Sequence, residues 1–108
     1  MKKIIFVIMV LILTGCSSNK IDIKEIMKEN EYIIIDVRTK EEYDNSHVVD
    51  AINIPYDEIG SEEFDKEKVI FVYCQSGKRS GIAYDVLNKK GYEVYDLGGF
   101  AEVDLPKE

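Results

Sequence analysis

The stretch Val69-Ile-Phe-Val-Tyr-Cys-Gln-Ser-Gly-Lys-Arg-Ser80 decides the fold of this chain. Its first five residues are apolar or aromatic, which predicts a strand buried on both faces in the middle of a parallel sheet. A run with helical spacing follows, and Gly91 stands where a helix C-terminal cap belongs; its apolar positions are Ile82, Ala83, Val86 and Leu87. The predicted order is strand, tight loop and helix.

Cys74 is the first residue of that loop. In a parallel α/β unit the loop lies at the carboxyl end of the strand, where open sheets bind ligands, and the next helix points its N-terminus at the site. Backbone amides of residues 75–80 that curl around the sulfur would favour thiolate over thiol, and Lys78 and Arg79 would add positive charge. This interpretation requires a curled loop and a sulfur that solvent can reach.

The loop resembles the active-site loop of the rhodanese (sulfurtransferase) family, in which a strand-end cysteine, a Ser-Gly step and an arginine close a six-residue cradle. The resemblance implies Cys74 as the catalytic nucleophile. It also implies that the cradle binds substrate; the residues concerned are Gln75, Ser76, Gly77, Lys78, Arg79 and Ser80. The family often has arginine where this chain has Gln75.

Two further segments are similar to that family. Asp36-Val-Arg38 ends a predicted strand, a Thr39 capping box with Glu42 starts a helix from about Lys40 to Asn45, and the segment continues to Pro55. Near the end of the chain, Gly98-Gly-Phe100 matches a double glycine and an aromatic beside the family's active-site loop; Phe100 is predicted either to wall the pocket or to pack in the core. The resemblance implies an α/β fold with about five parallel strands, helices on both sheet faces, and a domain over residues 21–108.

The remaining elements follow from local patterns. Asp22 is a suitable N-cap for a short helix that Asn30 ends, residues 32–37 form a second buried strand, and residues 92–97 form a strand nearer the edge. The single histidine, His47, is interpreted as a structural residue, since no second histidine or cysteine lies near it to form a metal site. Asp36 and Arg38 are expected to form an internal ion pair, with Glu41 or Glu42 as a further partner.

The first residues have the pattern of a targeting segment. Lys2 and Lys3 precede ten apolar residues, too few to span a bilayer as a helix, and Leu13-Thr-Gly-Cys16 resembles a bacterial lipobox. We therefore expect residues 1–15 to be a cleaved lipoprotein signal peptide and residues 16–20 to be a tether that begins with lipidated Cys16. The protein would then be extracytoplasmic and anchored by lipid to a bacterial membrane.

Charge and cysteine usage narrow the class of function. The net charge is −7, and loss of Lys2 and Lys3 from the 14 Lys and Arg leaves 12 against 21 Asp and Glu, a net charge of −9. Such a domain is repelled by nucleic acid and by anionic lipid. With Cys16 lipidated, Cys74 has no partner for a disulfide in an oxidising compartment, which favours its use as a nucleophile.

The predicted activity is transfer of a sulfane sulfur from a small donor such as thiosulfate to a thiol or cyanide, through a persulfide on Cys74 and without cofactor or metal. A protein thiol is a further possible acceptor. One alternative is a module that carries sulfur or binds a partner protein. Another is a phosphatase or arsenate reductase, whose loops have one residue more between cysteine and arginine than the four that separate Cys74 from Arg79.

Overall fold

The structure is a computed structural model that describes residues 22–108. The expected signal peptide and tether, with Cys16, lie outside the described residues. The described part has three α-helices, four β-strands and two short 3₁₀ turns, at Ile59–Ser61 and Phe100–Glu102. The helices and strands, in chain order, are α1 Ile23–Glu29, β1 Tyr32–Asp36, α2 Lys40–Asn45, β2 Ile52–Asn53, β3 Val69–Cys74, α3 Lys78–Lys89 and β4 Val94–Gly99. No helix within residues 22–108 is long and apolar enough to cross a membrane.

The four strands form one parallel sheet in the order β2-β1-β3-β4. All six residues of β3 are buried, and the strand lies inside the sheet as its unbroken apolar run predicts. The register between β3 and β4 shifts between Val72 and Tyr73, so that Cys74 pairs with Gly99. This irregularity brings the glycines of β4 beside the loop that follows β3.

The described residues contain four strands, where about five were expected. Val48 and Lys107 form an isolated antiparallel bridge, which is too short to count as a strand. β2 is also short, with only Ile52 and Asn53. The chain still runs alongside β1 after β2, since the amide of Ile54 donates to the carbonyl of Asp36.

A separate apolar cluster covers each face of the sheet. On one face, Val72 and Cys74 pack with Ala83 and Leu87 of α3. On the other, Phe71 and Tyr73 pack with residues of α1 and α2 and with Phe100. Helices therefore lie on both faces, as predicted, and the face that carries Cys74 is the one covered by α3.

The helix boundaries follow the predicted capping residues. The Asp22 carboxylate accepts from the amide of Glu25 at the start of α1, and Thr39 and Glu42 form the reciprocal capping box at the start of α2. α3 ends at Lys89, and Gly91 has φ 95° in the left-handed region that glycine adopts without strain.

Candidate active site

The sulfur of Cys74 lies where β3 ends and the loop to α3 begins. The loop turns sharply at Gly77, whose φ of 102° is in the left-handed region, and α3 starts at the next residue. This turn aims the amide of Gly77 at Cys74, with an N to Sγ distance of 2.9 Å. The first requirement of the sequence interpretation, a loop that curls around the sulfur, is met.

Ser80, in the first turn of α3, is fully buried and also contacts the sulfur. Its Oγ is 3.5 Å from Sγ of Cys74 and 3.1 Å from the carbonyl oxygen of Gly77. In the thiol form, the S–H donates to Oγ and the hydroxyl donates to that carbonyl. A hydroxyl hydrogen rotates freely, so the same group can donate to a thiolate.

Burial raises the pKa of the Cys74 thiol, but hydrogen bonding to its charged form opposes burial and prevails. The hydrogen bonds come from the Ser80 hydroxyl and from the amides of Ser80, Gly77 and Ser76, and the net pKa lies below the ordinary value of 9.0. The loop is thus built to hold an anion at Sγ, as expected of an activated cysteine.

The second requirement, that solvent reaches the sulfur, is not met, because Cys74 is 0% exposed. Gln75 and Ser76, the next two residues, are exposed. These two residues also line a small cavity of about 120 Å³ beside the loop, together with Gly99, Ala101 and Glu102. Because Cys74 is buried, access of any reagent to Sγ requires neighbouring residues to move.

The two cations of the loop occupy different environments. Lys78, the first residue of α3, is exposed and forms no ion pair within residues 22–108. Arg79 forms a bidentate ion pair with Glu42 of α2, with Nη1 to Oε1 at 2.9 Å and Nη2 to Oε2 at 3.1 Å. Both side chains were expected to add positive charge to the loop; Arg79 does so as one half of this ion pair, which the sequence did not indicate.

Gln75 links the loop to a buried polar network. Its Oε1 accepts from Nη1 of Arg38 at 2.9 Å, and Arg38 is only 3% exposed. Asp36 accepts from the same guanidinium through Oδ1 and Oδ2, and its Oδ2 also accepts from the Tyr73 hydroxyl at 2.8 Å. The predicted Asp36–Arg38 pair is confirmed; neither expected glutamate joins it, and the Ser46 carbonyl accepts from Arg38 instead.

Gly99 of β4 faces the loop at very close range. A Cβ placed on Gly99 would lie 2.8 Å from the carbonyl oxygen of Gln75 and 3.4 Å from Cα of Ser76. Only glycine fits such an approach without displacement of a neighbour. The Gly-Gly pair in the sequence marks this position, but its contact depends on the register shift in β4, which no local pattern predicts.

His47 and Phe100 both have structural contacts. The ring of His47 stacks on Tyr43 at 3.8 Å between centroids, and Nδ1 lies 2.8 Å from the Tyr43 carbonyl oxygen. Phe100 stacks on Tyr73 and lies under the guanidinium of Arg38, 4.5 Å from its ring centroid. Of the two predicted roles for Phe100, core packing is the one observed.

Sequence reasoning missed the role of Glu42 at this site. The capping box already accounted for Glu42 as a helix-starting residue. The structure gives it two roles, because its Oε1 accepts from the amide of Thr39 and also from Arg79. The available signal was the position of Glu42 after β1, because loops that follow neighbouring parallel strands meet at one edge of the sheet.

Comparisons with known proteins agree with this geometry. A family model for the rhodanese-like domain matches residues 20–104. The thiosulfate sulfurtransferase PspE of Escherichia coli is 41% identical over 78 residues, covering 68% of this chain and 75% of that protein. The thiosulfate sulfurtransferase GlpE of Coxiella burnetii is 36% identical over 80 residues, covering 70% of this chain and 75% of that protein.

The fold comparison leads to the same family. A solved structure described as a rhodanese with anions from E. coli superposes with a TM-score of 0.68 at 38% identity, covering 71% of this chain and 96% of that chain. The family match extends over most of the chain and includes β3, the loop from Cys74 to Ser80 and α3. The chain therefore belongs to the rhodanese-like domain family and is a rhodanese-type sulfurtransferase.

Proposed function

We propose that Cys74 is the nucleophile of this sulfurtransferase and carries the transferred sulfur as a persulfide. The observation that carries the proposal is the convergence of the Gly77 amide and Ser80 on Sγ at the end of β3. These groups stabilise a thiolate before attack and a persulfide anion after it. A preorganised donor of this type contributes about 3 kcal/mol to stabilisation of a developing anion.

With thiosulfate as the donor, the Cys74 thiolate attacks the outer sulfur and forms a new S–S bond. The S–S bond of thiosulfate breaks, and its electron pair leaves with sulfite, so the persulfide retains one negative charge. In the second half-reaction cyanide or a thiolate attacks the outer sulfur of the persulfide, and the Cys74 thiolate is released. Two half-reactions that share one covalent intermediate give ping-pong kinetics.

Entry of the donor needs local opening of the loop over Cys74, which is 0% exposed. Gln75 and Ser76 are the residues that we expect to move, since they follow Cys74 directly, are exposed and line the small cavity beside the loop. A small donor and a thiol acceptor suit this narrow entrance. A protein thiol is a suitable acceptor where its cysteine projects from the surface.

Mass spectrometry of the reduced, folded protein after incubation with thiosulfate tests the intermediate. We expect Cys74 to gain one sulfur atom, cyanide to remove it with formation of thiocyanate, and Cys74→Ser to do neither. Absence of the added sulfur on folded, reduced protein would rule the intermediate out.

A phosphatase or arsenate reductase is disfavoured by the environment of Arg79. The guanidinium that would bind a tetrahedral oxyanion is already engaged here, because Glu42 binds both of its terminal nitrogens. A carrier module would form the same persulfide but would release it only to a specific partner. Turnover with small thiols distinguishes the enzyme from the carrier.

We also propose that Cys16 is lipidated after removal of residues 1–15 and that the domain works outside the cytoplasm. The proposal is supported by Lys2 and Lys3, the short apolar run and the Gly-Cys step at 15–16. Growth with a labelled fatty acid should label the wild-type protein in the membrane fraction. Cys16→Ser should abolish the label, and persistence of the label in that variant would contradict the proposal.

A further inference from the structure

The ion pair between Arg79 and Glu42 connects the active-site loop to α2. It has the fork geometry of a strong guanidinium–carboxylate pair, with two nearly parallel N–O contacts of 2.9 and 3.1 Å. Both side chains are partly covered, at 27% and 32% exposure, so that solvent screens the pair less than it screens a surface pair.

Glu42 is fixed in place independently of Arg79. Its Oε1 accepts from the amide of Thr39 at 3.0 Å and from the Thr39 hydroxyl at 3.1 Å, within the capping box of α2. The hydrogen bond from Arg79 and those from Thr39 lower the pKa of Glu42 to about 2, although burial opposes this. Glu42 therefore holds a negative charge in a fixed position across the working pH range.

Arg79 is adjacent in sequence to Ser80, whose Oγ lies 3.5 Å from Sγ of Cys74. The pKa of Arg79 is raised first by the hydrogen bond to Glu42, and the negative charge on Cys74 raises it further. Of the two loop cations, Lys78 forms no ion pair within residues 22–108, whereas Arg79 is paired with Glu42. The positive charge of Arg79 is balanced by Glu42 before any donor arrives.

We propose that Glu42 is a specificity-determining residue that selects sulfur donors by their charge. By pairing with Arg79, it favours donors that carry one negative charge over the dianion thiosulfate. This inference rests on the proposed function, because it assumes that sulfane sulfur donors approach Cys74 past Arg79. Monoanionic donors of this kind include organic thiosulfonates, which transfer a sulfur to the thiolate and leave as sulfinates.

A comparison of two donors of similar size isolates the effect of donor charge, because both react by the same chemistry. Thiosulfate carries two negative charges and methanethiosulfonate carries one, and both deliver a sulfane sulfur with an oxidised sulfur as leaving group. Coulomb energy is proportional to the charge of the donor, so removal of the Glu42 charge should raise kcat/KM about 10-fold for thiosulfate and about 3-fold for methanethiosulfonate. The rise in kcat/KM should come from a lower KM, with kcat changed less than about 2-fold.

Glu42→Gln is the variant of choice because glutamine also fits the capping box and keeps an acceptor for the Thr39 amide. Glu41→Gln is the matched control: it removes the same charge one residue away, from an exposed side chain that forms no ion pair within residues 22–108. We expect the control to change the ratio of the two kcat/KM values by less than about 2-fold. The double variant Glu42→Gln with Arg79→Gln should return the ratio to near the wild-type value.

The outcomes separate this inference from the proposed function. No turnover of either donor by the wild-type protein would refute the function itself. Turnover with an unchanged donor ratio in Glu42→Gln, or an equal change in Glu41→Gln, would refute the role of Glu42 alone.

Discussion

Replacement of Gly99 by alanine tests whether close packing of β4 against the loop maintains the site around Cys74. The added Cβ would lie 2.8 Å from the carbonyl oxygen of Gln75, closer than such atoms approach in proteins. The backbone of Gly99 has φ −84° and ψ 148°, an extended conformation that alanine adopts freely. The effect of Gly99→Ala therefore comes from the contact and not from backbone strain.

The loop, rather than the sheet, should yield to the new methyl group. Gln75 and Ser76 are exposed, whereas Gly99 lies at the end of a strand paired with the fully buried β3. Overpacking in an interior costs about 1–3 kcal/mol, and a loop that can move outward places the loss near the lower limit. The same movement carries the Gly77 amide away from Sγ, and loss of one such donor lowers kcat about 100-fold or more.

Urea unfolding and a cyanolysis assay measure the two effects separately. For Gly99→Ala we expect the free energy of unfolding to fall by about 1 kcal/mol, kcat to fall about 100-fold, and the pKa of the thiol, from the pH dependence of alkylation, to rise. Gly60→Ala is the control, because its Cβ would lie at an ordinary 3.5 Å from Cγ1 of Val86. Wild-type kcat and alkylation in Gly99→Ala would refute the reasoning, as would a stability loss of several kcal/mol without any effect on the thiol.

Three further predictions concern stability, each measured by chemical denaturation. Tyr73→Phe should destabilise the fold by about 1–3 kcal/mol, because the buried amide of Val48 loses its acceptor and Asp36 loses a donor; a neutral result would show that water replaces the hydroxyl. Gly81→Ala should stabilise it by about 1 kcal/mol, since the site is inside α3 and the nearest atom to a new Cβ is 3.9 Å away; destabilisation would contradict this. Glu42 has a folded pKa of about 2 against an ordinary 4.5, so its contribution is complete above pH 4.5 and is lost as the pH falls towards 2. Glu42→Gln should flatten the pH dependence of stability in that window, and an unchanged slope would argue against the ion pair.

Local patterns predicted the parts of the fold that local interactions determine. The apolar run of β3 and the capping box at Thr39 each involve residues close in sequence, and both are present where expected. Two features of the site depend on distant residues instead. The Arg79–Glu42 pair joins positions 37 residues apart, and the contact of Gly99 with Gln75 requires the register shift in β4.

The burial of Cys74 was the main feature that sequence reasoning did not foresee. A cysteine that starts a loop of small and charged residues is expected to be accessible to solvent. Composition predicts a polar loop, but it does not predict the course of the backbone around the sulfur. The path depends on a few backbone angles, above all on the left-handed turn at Gly77. That turn closes the chain over the sulfur and creates the hydrogen bonds that lower its pKa.

The alternation of side chains along β3 determines which substitutions the active site should tolerate. Phe71 and Tyr73 belong to one side of the sheet and Val72 and Cys74 to the other, so the sheet divides the core into two parts. Conservative changes in α1, which packs only on the tyrosine side, should therefore leave the surroundings of Cys74 intact. Two side chains cross this division: Arg38 lies over Phe100 and also binds Gln75, and Glu42 of α2 binds Arg79. A change at either position should disturb the active-site loop from the far side of the sheet.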